Sequence, residues 1–162
     1  MASRRHDYRV RVIWTGNEGS GTATHGYSRA HQITAWGKSA IEGSSDPNFR
    51  GDPTRWNPEE LLLASLSACH KLWYLGLCAD AGLAVMAYED TAEGCMVEEP
   101  NGAGQFVSVV LRPRVTVAAG CDAAKAEALH RTAHRMCFIA RSVNFPVEHR
   151  PIIVVDADGS SR

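Results

Sequence analysis

The chain has 162 residues and a formal net charge of −1, with 44% hydrophobic and 22% charged residues, an ordinary composition that predicts one domain able to bury a core without staples. That charge, with no basic run carrying interleaved aromatics, gives no reason to expect nucleic acid or a membrane as partner. Cysteines at 69, 78, 95, 121 and 137 make an odd set without a C-x-x-C pair, which argues against a secreted disulfide scaffold and a zinc ribbon.

Met1 to Asp7 is polar and basic, without the apolar core of a signal peptide. No apolar run reaches the roughly 20 residues of a membrane span, so the cytoplasm is the expected location. Residues 1–7 are expected to be flexible. Tyr8 to Trp14 then alternates, with Tyr8, Val10, Val12 and Trp14 on one face and Arg9 and Arg11 on the other, which predicts a half-buried strand. Gly16 to Gly19 reads as a turn, and Thr22 to Trp36 offers one or two further strands. Gly43 to Trp56, rich in Gly, Pro, Ser and Asp, is a long loop that contains Arg50 and Arg55.

The longest element runs from Asn57 to Leu83. Asn57 is an N-cap, Pro58 fits the first helical position, and Glu60 at N3 completes a capping box. Gly82 with Leu83 offers a left-handed C-terminal cap. At about 100° per residue, Glu60, Ser67, His70, Lys71, Tyr74 and Cys78 share one strip, and most other side chains are apolar. Such a helix must be covered on nearly every side.

Ala84 to Thr91 and Cys95 to Glu98 are predicted strands, with Pro100-Asn101-Gly102 as the turn that follows. Phe106 to Val117 is the strongest later strand, and Pro113 within it suggests an edge or a bulge. Asp122 caps a second helix in which Ala126, Leu129, Ala133, Met136 or Cys137, and Ala140 recur at helical spacing, ended by Pro146. A strand over Arg150 to Val155 and a frayed tail, 156–162, close the chain. The order of elements predicts an α+β fold of antiparallel sheets around two central helices, a single domain over 8–155. Two helices in one chain cannot cover so apolar a first helix, which points to a two-fold homodimer.

Cys69 lies among Leu62, Ser65, Leu66, Trp73 and Gly76, and an apolar setting keeps a thiol neutral. It therefore needs a cation, for which Arg50 and Arg55 are the candidates. Glu59 could hold such an arginine, but it precedes Cys69 by ten residues, about 15 Å along a helix; either the arginine bridges the two from a folded-over loop or, the favoured reading, the carboxylate comes from the partner subunit, which makes the site an interface site. Leu62, Leu66 and Trp73 would form an apolar wall for a substrate with a hydrocarbon body. Without further context, two buried cysteines are most often small hydrophobes.

Asn57-Pro58-Glu59-Glu60-Leu61, Ser67-Ala68-Cys69 and His134-Arg135-Met136-Cys137 together resemble the signature of the osmotically inducible protein C and organic hydroperoxide resistance (OsmC/Ohr) family. The resemblance implies an intertwined α+β homodimer and a thiol peroxidase that reduces organic hydroperoxides, needs no metal or organic cofactor, and is recycled by an external dithiol. It assigns Cys69 as peroxidatic cysteine, Cys137 as resolving cysteine, Glu59 as the carboxylate that orients the catalytic arginine, and Arg50, with Arg55 as the alternative, as that arginine. Phe138 stands where many relatives have proline. Other readings are a metal site on the helical face of His130, His134 and Cys137, a Cys69-dependent hydrolase, and a non-catalytic binder of apolar ligands.

Overall fold

A computed structural model describes residues 4–156, which excludes most of the expected tail. The chain forms two compact units, Met1–Leu61 and Leu62–Arg162.

In the first unit β1 (Arg11–Trp14), β2 (His31–Thr34) and β3 (Ile41–Gly43) form an antiparallel sheet in that order. The first strand is shorter than its alternation predicts. Tyr8, Val10 and Val12 are also exposed rather than half-buried, at 91%, 65% and 62%, because nothing within this unit covers the apolar face. The loop that follows folds into a short 3-10 helix, Pro47–Phe49, where the Asp46 carboxylate accepts the Asn48 N–H and Arg50 closes the turn in the left-handed region at φ 65°. Trp56 then bridges back to Gly43.

The long helix α1 spans Pro58–Asp80. Its capping box forms in both directions: the Glu60 N–H donates to Asn57 Oδ1 at 2.8 Å and the Asn57 N–H to Glu60 Oε2 at 3.3 Å. At the other end Gly82, at φ 72°, lets the Leu83 N–H reach the Cys78 carbonyl and the Gly82 N–H the Ala79 carbonyl, a complete Schellman closure. Contrary to the sequence expectation, α1 is long and apolar enough to cross a membrane by length and composition alone. Within its unit, however, Leu66, His70, Tyr74 and Cys78 are its buried residues, whereas Leu72 is 67% exposed. Tyr74 and Cys78 pack with Val115, Val117, Ala126 and Ala133.

In the second unit, β4 (Val85–Asp90), β7 (Pro113–Val117) and β9 (Ile152–Val155) form one sheet, and β5 (Glu93–Glu98), β6 (Gly104–Leu111) and β8 (Val147–His149) form another. The β4–β7 and β5–β6 pairs are antiparallel, but β6–β8 and β7–β9 are parallel, so the sheets are mixed rather than antiparallel. The long predicted strand breaks at Arg112. Pro113 opens β7, the central strand of its sheet, because the first residue of a strand can forgo a donor; it is neither at a sheet edge nor in a bulge. The second helix, α2, covers Ala123–Met136, and Asp122 accepts the Lys125 N–H at 3.0 Å. It ends ten residues before Pro146: Cys137 is already extended at ψ 111°, and a 3-10 turn over Ala140–Ser142 follows.

Candidate functional site

Cys69 sits midway along α1, half-buried, and Cys137 at the C-cap of α2, 1% exposed. Two helices separated by four strands thus deliver two thiols to one place. The two thiols lie close enough for Cys69 to act on the ionisation of Cys137, and all five cysteines are free. Burial foremost, and then the Cys69 thiol, push the Cys137 thiol up to about 11, while the Ala140 N–H, 3.4 Å from its Sγ, pulls the other way. Cys137 is therefore a neutral thiol at pH 7. Cys69 opens on a pocket of about 230 Å³ that it lines with Leu72, Trp73 and Phe138. Trp73 and Phe138 meet edge to face at 5.6 Å.

In the first unit, Arg55 is committed: it pairs with Glu42 and, at 3.6 Å, with Asp52. Arg50 reaches only the His25 carbonyl, at 3.3 Å, with no carboxylate partner among the described residues. It is also the only described non-glycine residue with a positive φ, a conformation that costs a side chain about 1–2 kcal/mol. Glu59 Oε2 is buried without a hydrogen-bond partner among the described residues.

The sequence profile of the OsmC-like protein family matches residues 51–150. An OsmC-like protein of unknown function from Vibrio cholerae superposes with a TM-score of 0.83 at 31% identity, over 91% of this chain and 100% of its own. The chain is a member of the OsmC-like family. An OsmC-like protein from Mycoplasma pneumoniae, 12% identical, covers 93% of this chain and 99% of its own at a TM-score of 0.72. An organic hydroperoxide resistance protein from Elizabethkingia anophelis, 18% identical, covers 94% and 100% at 0.65. These two share the fold. No curated protein sequence matches the chain.

In this OsmC-like chain the two motif cysteines meet, but the apolar wall differs from expectation. Leu66 is fully buried with Val109 and Leu111, and Leu62 packs on the same cluster. Of the predicted wall residues only Trp73 lines the pocket beside Cys69, joined by Leu72 and by Phe138, whose lining role the sequence reading missed. Phe138 was legible as the residue after a motif cysteine; its direction depends on α2 ending at Met136.

The sequence set His70 on one strip of α1 and His130 with His134 on one face of α2, but gave no sign that the two helices' imidazoles meet. His70 and His130, both fully buried, are joined by a 2.9 Å hydrogen bond between Nε2 and Nδ1. Their ring centroids lie 5.3 Å apart with planes 7° apart, so the imidazoles meet edge to edge. Tyr74 stacks on His130 at 3.8 Å, and His149 lies 5.6 Å from His70 and 5.3 Å from His134. Burial foremost, and then neighbouring histidines, lower His70 to about 4 and His130 to about 3. Among the described residues, no three His, Cys, Asp or Glu side chains are arranged to hold a metal ion. His130 and Cys137 therefore serve different neighbours, although they share a helix face in the sequence.

Proposed function

We propose that this OsmC-like protein is a cytoplasmic thiol peroxidase that reduces organic hydroperoxides to alcohols, as a two-fold homodimer recycled by an external dithiol. The contact between a half-open Cys69 and a buried Cys137 supports this reading most. The Cys69 thiolate attacks the distal peroxide oxygen; an S–O bond forms, the O–O bond breaks, and the departing alkoxide takes a proton to become the alcohol. Cys137 then attacks the sulfenic sulfur, so that an S–S bond replaces S–O and the hydroxyl leaves with the Cys137 proton as water. An external dithiol reopens the disulfide by exchange. Arg50 stabilises the thiolate and the developing negative charge, with Glu59 as its orienting carboxylate. The Trp73–Phe138 corner favours a peroxide with a hydrocarbon body over hydrogen peroxide, and the solvent-facing apolar residues of β1 and α1 suit a second copy.

The test is peptide mapping of the reduced protein after one equivalent of cumene hydroperoxide or hydrogen peroxide, for wild type and Cys137→Ala. A Cys69–Cys137 disulfide, formed faster with the organic peroxide, and a trappable Cys69 sulfenic acid in the variant are expected. Light scattering on the same sample should give twice 17.6 kDa. Cys69 remaining reduced under both peroxides would sink the peroxidase, and a mass of one chain the homodimer.

A further inference from the structure

The thiols meet only if α1 and α2 hold a fixed register, since a disulfide tolerates Cβ atoms about 3.5–4.5 Å apart and a slip of one helical residue is about 1.5 Å. The buried polar link between these helices among the described residues is the His70–His130 bond, one residue from Cys69 on α1 and two turns before Cys137 on α2; the other tie, Lys125 Nζ to the Ala81 carbonyl just past α1, is exposed and on a flexible side chain. The imidazole pair is a costly way to fill space. His70 Nδ1 and His130 Nε2, the outer nitrogens, are buried without partners among the described residues, as is His134 Nδ1. Each such atom gives up its hydrogen bonds to water with none in return, a loss that a pair of apolar side chains would not incur. What the imidazoles add is direction: an apolar contact slides, whereas a hydrogen bond weakens steeply with distance and angle.

One ring must donate and the other accept, which either tautomer arrangement allows and only protonation of both rings abolishes; burial keeps the pair neutral. The groups acting on the pair leave it so. From α1 comes Tyr74, stacked on His130. His134 comes from α2, with Arg131 acting on His149 beyond it, and His149 from β8. From β4, Tyr88 lies 6.0 Å from Tyr74, beside Asp90, which accepts from Ser67 and from the Arg112 N–H. The charges that act on both imidazoles are other histidines, and none favours an imidazolium.

We propose that His70 and His130 are a positioning pair, whose hydrogen bond sets the register of α1 against α2 and so brings Cys137 to Cys69. This rests on the two-cysteine reading of the same site, and its test needs no hydroperoxide. The Cys69–Cys137 dithiol–disulfide equilibrium against glutathione at pH 7 measures how well the two thiols are held together. His130→Leu is expected to lower that equilibrium constant at least tenfold, a potential about 30 mV less negative. His130→Asn, which keeps an amide near the place of Nδ1, and His70→Gln, which keeps one near Nε2, should stay within threefold of wild type. Val109→Ala, a core change away from both helices' histidines, should leave the constant unchanged at a comparable loss of stability.

A His130→Leu constant equal to wild type, an Asn variant as impaired as the Leu variant, or an equal fall in Val109→Ala overturns the proposal. So does a wild type that forms no Cys69–Cys137 disulfide. Should the pair pass while wild type consumes no hydroperoxide, the peroxidase reading fails alone; turnover of hydroperoxide with an unaltered His130→Leu constant removes only the positioning pair.

Discussion

At the scale of single residues, what separates Arg50 from Arg55 is commitment rather than identity. Arg55 spends its guanidinium on Glu42 and Asp52, whereas Arg50 has no carboxylate among the described residues and stands in a left-handed backbone conformation. Strain of that kind concentrates where a side chain must be aimed. Arg50→Ala is therefore expected to lower kcat/KM for cumene hydroperoxide by about 100-fold or more, the scale of losing one donor to a developing charge. Arg55→Ala should change it less than about twofold, and cost stability by no more than the ~1 kcal/mol of an exposed ion pair. Steady-state kinetics on both variants decides, and the opposite ranking moves the role to Arg55. Both arginines were legible as loop cations in the sequence; their difference was not, because it lies in which carboxylates the folded loop brings near.

At the scale of elements, α1 shows how much local chemistry encodes. Its start and stop follow from groups within four residues of each end: the Asn57–Glu60 box and the Gly82 closure. Asn57→Ala is expected to cost about 1 kcal/mol. Gly82→Ala meets no atom within 4 Å but must hold φ 72°, at a cost of about 1–2 kcal/mol. Urea unfolding of the two variants checks both figures, and a Gly82→Ala protein as stable as wild type would mean that the closure does not hold the helix end. The second helix was less legible. Helical spacing continues through Cys137 to Ala140, yet the helix stops at Met136, with Cys137 extended and a 3-10 turn beyond. Periodicity records which side chains face inward, and that pattern persists where the chain has left the helix. In the same way the single strand signal from Phe106 to Val117 hid a change of sheet at Arg112, because its two halves pair with different strands.

At the scale of the whole molecule, the buried imidazoles link stability to pH. His70 and His130 have folded pKa values of about 4 and about 3, below the 6.5 of a free histidine. Between those values the unfolded chain binds more protons than the folded one, so stability rises with pH there. The contribution is complete above pH 6.5 and is lost as pH falls through about 4 and then 3. The expected loss between pH 7 and pH 4 is on the order of a few kcal/mol, read as a fall in the urea midpoint that His70→Gln reduces. A midpoint flat over that range would show that the pair is not held neutral.

The sequence by itself determined the limits of α1, the α+β class and the N-caps of both helices, and it singled out the two cysteines that the fold brings near each other, since each rests on neighbours a few residues apart or on short motifs. Tertiary structure alone decided the parallel pairings of β8 and β9, the burial of Leu62 and Leu66 away from the Cys69 pocket, the place of Phe138 in it, and the His70–His130 bond. These all join residues distant in the chain. The strip of α1 that carries His70, Tyr74 and Cys78 was visible in the sequence, but whether such a mildly polar strip faces water or a core depends on whether other elements bring it aromatic and imidazole partners. Here Tyr88, His130 and His149 do so from β4, α2 and β8.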